Sequence, residues 1–241
     1  DNRLWWGNLS SGVDRVWRSD TANATTYGAN SFFQLGDDIT GLGRIGNALS
    51  MHTEDAIFLA VPTGNAAIPY KLIQRANVGA ISPRAIETVQ IPNVGEVIIY
   101  VREDGVYLFD GDSAQKISWK LDGDRYWEDL NKARLPNCFS VQYPKRNEIW
   151  FFLPNGTTQT NMNNVMIYDY VRGIWYGPFA GFERNCAGII NNEPHCGGFS
   201  NGYVFKHESS NLYDDDGSTQ TGISGWFETA SPAPMGTDVM L

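Results

Sequence analysis

The sequence predicts an all-β fold, a β-propeller of about five blades, from three observations. A hairpin-like segment recurs. Glu54-Asp55-Ala56-Ile57-Phe58-Leu59 returns 49 residues later as Glu103-Asp104-Gly105-Val106-Tyr107-Leu108, and after a further 97, about twice that interval, as Ser200-Asn201-Gly202-Tyr203-Val204-Phe205. A period in this range, made of short strands and tight turns, points to one blade per repeat. Composition agrees: the 241 residues include 25 Gly and a 13% aromatic share, with no sustained helical pattern. Short apolar or alternating runs bounded by Gly, Asn and Asp supply the strands.

Blades are expected at about 1–31, 36–76, 79–121, 137–182 and 185–230, forming a single domain over 1–241. In the first, Leu4-Trp5-Trp6-Gly7 and Arg15-Val16-Trp17-Arg18-Ser19 are strands joined by the turn-rich Asn8 to Gly12. The second opens at Gly36-Asp37-Asp38-Ile39-Thr40-Gly41-Leu42, continues through 48–52 and 56–61, and closes on Tyr70-Lys71-Leu72-Ile73. The third runs through 85–90, 97–101, 106–109 and 116–118. Its segment Val97-Ile98-Ile99-Tyr100-Val101 is apolar throughout, as a strand covered on both faces should be. Asp104-Gly105 and Asn201-Gly202 suit the type I′ turn, whose two central residues need positive φ. Apolar residues at 127, 130 and 135 predict a short helix over about 126–135, stopped by Pro136 and serving as a strap between blades. The fourth blade has strands at 139–143, 148–153, 165–170 and 173–176, and the fifth at 186–190, 195–199, 203–207 and 225–229. The long polar loop from Pro154 to Asn163 is the foremost candidate for a projecting contact loop.

The net charge is −9, with no run of Lys or Arg, which argues against a surface that grips nucleic-acid phosphates. An acidic surface repels DNA and suits a conduit better than a clamp. Cys138, Cys186 and Cys196 cannot all pair within one chain and lack zinc-finger spacing. They read as idle thiols of a reduced protein made in cytosol, even with His195 beside Cys196. No stretch has the length of a membrane span, no signal-peptide pattern opens the chain, and both ends read as cuts from a longer polypeptide.

Glycoside hydrolysis would need two carboxyls facing one another, and Asp37, Asp38, Glu54, Asp55, Glu103, Asp104 and Glu148 are the candidates. Most sit in turns, where Asp serves neighbouring backbone N–H groups. The Asp214-Asp215-Asp216-Gly217-Ser218 run lacks EF-hand spacing and reads as a solvated hairpin turn. The spaced glycines of 41–46 lie between strands and read as turn chemistry, not a dinucleotide loop. His52, His195 and His207 have no nucleophile elbow around them. Eight tryptophans (Trp5, Trp6, Trp17, Trp119, Trp127, Trp150, Trp175, Trp226) read as packing between blades before they read as a sugar platform. No catalytic residue, metal site or cofactor is therefore assigned.

The pattern resembles the β-propeller of tailed-bacteriophage tail proteins, the nozzle, tail-hub and DNA-stabilisation group of short-tailed phages. Residues 1–7 with 15–19, then 36–42, 79–84 (Gly79-Ala80-Ile81-Ser82-Pro83-Arg84) and 105–111 (Gly105-Val106-Tyr107-Leu108-Phe109-Asp110-Gly111) carry the resemblance over roughly 1–120, and 126–153 also fits. These motifs are structural. The resemblance implies a virion component without enzymatic activity, made in the host cytoplasm. It implies six copies ringing the tail axis, docked on the adaptor or portal and on tail fibres. DNA would pass without specific binding, and nothing would insert into a membrane. The expected interface loops are 157–163, with Thr157, Thr158, Gln159, Asn161 and Asn163, and 211–221, with Asp214, Asp215, Asp216 and Thr219. The alternative is a glycan-binding or glycoside-hydrolysing propeller for receptor recognition, with a funnel of carboxylates and an exposed Trp. A kelch-like interaction propeller is a weaker third, suggested by Met166-Ile167-Tyr168-Asp169 and Trp175.

Overall fold

The computed structural model describes residues 2–118, 125–199, 202–207, 213–215 and 220–222. By its internal contacts the chain divides into two compact units, Asp1–His207 and Glu208–Leu241. In the second, β-hairpin pairing joins Tyr213–Asp215 to Gln220–Gly222. The rest concerns the first unit.

Its strands form antiparallel sheets in chain order. β1 (Trp5–Leu9), β2 (Gly12–Arg18) and β3 (Phe32–Gln34) make the first sheet. β4 (Gly41–Ile45), β5 (Ala48–His52), β6 (Ile57–Pro62) and β7 (Tyr70–Ala76) make the second. β8 (Ile86–Ile91), β9 (Gly95–Arg102), β10 (Gly105–Phe109) and β11 (Ala114–Lys116) make the third. β12 (Phe139–Tyr143), β13 (Glu148–Leu153), β14 (Met162–Asp169), β15 (Ile174–Ile190), β16 (Glu193–Gly198) and β17 (Val204–Lys206) make a fourth, six-stranded sheet.

The sheets succeed one another as propeller blades. Their first strands lie side by side, β1 against β4, β4 against β8 and β8 against β12. A separate apolar core fills each joint. Val16, Ile39, Met51, Ala60 and Tyr70 pack the first; Ile45, Ile57, Leu59, Ile98, Tyr100 and Phe109 pack the second. The third and largest holds Val97, Ile99, Val101, Phe139, Val141, Phe151 and Phe152. β9 alternates its side chains between two of these cores, so every residue from Val97 to Val101 is buried. That is why its sequence is apolar without interruption.

Four expectations need correction. The first sheet takes its third strand from Phe32–Gln34, beyond the expected limit at residue 31. The fourth and fifth blades share one sheet, because β15 runs unbroken through the expected boundary at 182–185. Register shifts absorb Gly177-Pro178 and Gly181 as bulges, so residues that read as punctuation bend the strand without ending it. β15 and β16 also come back against β12, so this sheet curls. The expected helix at 126–135 is two short pieces, α1 (Arg125–Glu128) and a 3-10 turn (Lys132–Asn137) that contains Pro136. Asn131 caps the turn by accepting from the Ala133 N–H. The segment is a strap as expected, with Trp127, Leu130 and Leu135 buried in the third core.

The two-residue loop between β9 and β10 is Glu103-Asp104, since Arg102 pairs with Gly105. Neither residue has positive φ and Gly105 is extended, so this is not the expected type I′ turn. A two-residue loop of that kind does occur at Asn191-Asn192, both at positive φ, between paired Ile190 and Glu193.

Candidate functional site

The repeated hairpin tips meet across a joint. Arg102 on β9 reaches Asp104 at 3.0 Å and Asp55 of the preceding blade at 3.5 Å. Lys116 adds a contact to Asp104 at 3.6 Å, and the Tyr107 hydroxyl donates to Asp104 at 2.8 Å. Burial opposes ionisation of Asp104, but these bonds and charges outweigh it and hold its carboxyl below the usual range. A carboxyl so fixed by a guanidinium lacks the raised proton affinity of a general acid. Glu148 accepts from the Trp150 indole N–H. Asp37 contributes a turn bond to the Asp38 N–H. The one described carboxyl pushed upward is Glu87, by burial, with Ser140 donating to it at 2.8 Å against that trend. No local spacing marks it, because its partner lies in another blade.

Cys138 and Cys196 are buried and their thiols are pushed up to about 12, so neither carries thiolate at neutral pH. Cys186 is exposed. His195 is held at 3.0 Å by the Glu193 carbonyl. Among the described residues no three His, Cys, Asp or Glu side chains gather within metal-binding reach, and no helix is long and apolar enough to cross a membrane. The described tryptophans pack against other rings, though of these contacts only Trp5 against Tyr70 joins two blades; Trp5 also meets Phe33, Trp6 and Trp17 meet Tyr27, Trp127 meets Tyr126, Trp150 meets Tyr143, and Trp175 meets Phe151 and Tyr168. Trp119 and Trp226 lie outside the described residues.

His52 forms a buried pair with Ser50, Oγ to Nε2 2.8 Å, beside the Tyr100 ring. The i, i+2 spacing on β5 puts both on one face. Full burial denies the pair any substrate and lowers the imidazole to about 3. The unfolded chain, at an ordinary 6.5, therefore binds one more proton between those values. Stability from this group is complete above pH 6.5 and is lost as pH falls toward 3, about 1.4 kcal/mol per pH unit. Urea titrations at pH 7 and pH 4 should show a loss near ~3 kcal/mol from His52, absent in a His52→Gln variant. Parallel pH dependence in the two proteins would refute the assignment.

A cleft of about 370 Å³ is lined by Arg84, Arg134, Asn137, Thr160, Asn161, Met162, Asn185 and Phe199. Each element has a reason to be there. Ser82 donates to the Cys138 carbonyl at 2.7 Å and accepts from the Arg84 N–H, fixing the turn before β8. The Arg84 guanidinium lies over the Phe139 ring at 4.8 Å and donates to the Asn185 carbonyl. The strap contributes Arg134 and Asn137. It also holds the 154–163 loop: Asn131 N–H donates to Pro154, its side chain donates to the Gln159 carbonyl, and Gly156 N–H donates to Asp129.

The expected contact loop thus divides by role. Thr157 and Thr158 are exposed at its tip and Gln159 is half-buried. Asn161 lines the cleft. Asn163 stitches the loop base, accepting from the Asn155 N–H and donating to its carbonyl. In the other expected loop, Asp214 and Asp215 lie on the second unit's hairpin, while Asp216 and Thr219 fall outside the described residues. The cleft departs from the carboxylate funnel expected of a glycosidase: none of its lining residues is an acid or a Trp, and two are arginines.

No protein-family model matches the chain, and no curated protein matches it. Among solved structures it is similar to the extracellular domain of a one-component system from B. thetaiotaomicron, at 10% identity and a TM-score of 0.54. That match covers 93% of this chain but 26% of the other, so the chain spans about a quarter of its length. An ancestral GH74 enzyme aligns at 10% identity over 84% of this chain and 30% of its own, with a TM-score of 0.42. YCF48 bound to D1 peptide aligns at 15% over 77% and 58%, with a TM-score of 0.38. At such identities the likeness concerns the fold alone, and that fold is an all-β propeller.

Proposed function

We propose that the chain is a non-catalytic building block of a tailed-phage virion, a propeller in the tail nozzle or hub that joins a ring of copies around the DNA channel. The observation that carries this reading is where the resembling segments fall. In the first of them, Trp5, Trp6 and Gly7 on β1 pair with Arg18, Trp17 and Val16 on β2, tied at the base by Ser19, which accepts from Leu4 N–H through its hydroxyl. Segment 36–42 spans the first joint, with Ile39 N–H donating to Val13 and Thr40 N–H to His52. Segment 79–84 spans the next two, through Gly79 N–H to Glu54 and Ser82 to Cys138. Segments 36–42 and 79–84 thus serve joints between blades, which is what rigid masonry requires, and a net charge of −9 suits a wall that DNA must slide past.

Immunogold electron microscopy of particles with antibody against this chain tests the reading. Label on the tail in ring-like multiplicity is expected. Unlabelled particles beside soluble monomer would overturn it. The glycan reading gains one observation, the arginine-lined cleft, pursued below.

A further inference from the structure

We propose that the cleft between the strap and β15 binds the carboxylate-bearing pyranose of an acidic saccharide. Three features of the cleft select that ligand together. The first is charge. Arg84 and Arg134 line it without any acidic residue, on a protein whose net charge is −9. Arg84 is held by the Phe139 ring and the Asn185 carbonyl, so its direction is set before a ligand arrives. The Arg134 guanidinium makes no hydrogen bond or ion pair among the described residues, and its planar fork matches a carboxylate.

The second feature is the apolar wall. Phe199 lines the cleft and is 44% exposed. A sugar offers a C–H face for such a ring, whereas an inorganic anion leaves it unused. The third is the polar lining of Asn137, Thr160, Asn161 and Asn185, which combines donors and acceptors as sugar hydroxyls do. The volume of about 370 Å³ lies in the range of small-molecule sites and accommodates one or two rings. A nucleic acid fits poorly, since its affinity comes from many cations along a track and the cleft is lined by two.

The inference stands apart from the assembly reading, because a soluble monomer can bind a sugar. Isothermal titration of the full chain with trigalacturonate, and with the matching neutral galactose trisaccharide, tests it. Saturable binding of the acidic sugar is expected, weakened about tenfold or more by Arg134→Gln and by loss of the carboxylates. Arg134 is exposed, so the variant should keep the parent's melting temperature. Phe199→Ala should weaken binding of the acidic sugar as well. Equal affinity for the neutral sugar, unchanged binding by Arg134→Gln, full displacement by equimolar inorganic phosphate, or no binding at all would each overturn the proposal. None of these results bears on the immunogold experiment.

Discussion

Replacing Trp127 by alanine is expected to lower the unfolding free energy by about 3–5 kcal/mol, the usual range for a buried tryptophan. Trp127 is 1% exposed and packs in the largest core, edge-on to Tyr126 at 5.7 Å. The four-residue α1 cannot persist on its own helical propensity, since nucleation costs more than one turn returns. It persists because Trp127, Leu130 and Leu135 are buried. The indole N–H finds no acceptor among the described residues, so Trp127→Phe should cost far less, about 1 kcal/mol. The strap also holds the 154–163 loop through Asn131, so hydrogen exchange in that loop should quicken in the alanine variant. Urea denaturation with exchange mass spectrometry checks both. A loss below ~1 kcal/mol would mean that the strap is not part of the core.

Gly79→Ala is expected to cost on the order of 4 kcal/mol, above the usual range for overpacking. A Cβ at this position would stand 2.0 Å from the Thr53 carbonyl oxygen and 2.6 Å from that of Ala56. Those oxygens cannot swing aside, because Thr53 N–H donates to Ala56 and Ala56 N–H donates to the Thr53 hydroxyl, closing the loop between β5 and β6. Gly79 N–H in turn donates to Glu54. The substitution would thus pry a blade joint apart. Gly188→Ala is the control: a Cβ there meets nothing within 4 Å and the backbone is not left-handed, so stability should be nearly unchanged. Equal, small effects at both positions would show that the chain between blades gives way easily.

Much of the fold was legible because the 49-residue interval reports real geometry. The second and third sheets carry the two repeated hairpins, and their strands fall within a few residues of the expected ones. Even so, the two hairpins differ in loop length. His52 pairs with Ile57 across four residues, while Arg102 pairs with Gly105 across two. Similar sequence is thus not identical turn geometry, and Asp104 pairs with Arg102, which also reaches Asp55 of the preceding blade, instead of opening a type I′ turn. β15 was illegible for another reason. Gly177, Pro178 and Gly181 break a helix or a flat strand, yet an antiparallel strand absorbs them as bulges where its neighbour permits. Pro136 misled in the same way, since a 3-10 turn tolerates what a longer helix does not. Of the site, the 154–163 loop was visible from its length and polarity. The cleft itself was not, because Arg84 and Asn185 meet across 101 residues of chain and no local spacing records that.

A density map of the chain in its native particle tests the central claim most directly. The account predicts sheets in rotational succession, with β1, β4, β8 and β12 side by side and several copies surrounding the DNA channel. Sheets stacked face to face as a sandwich, or particles that lack the chain, would contradict it.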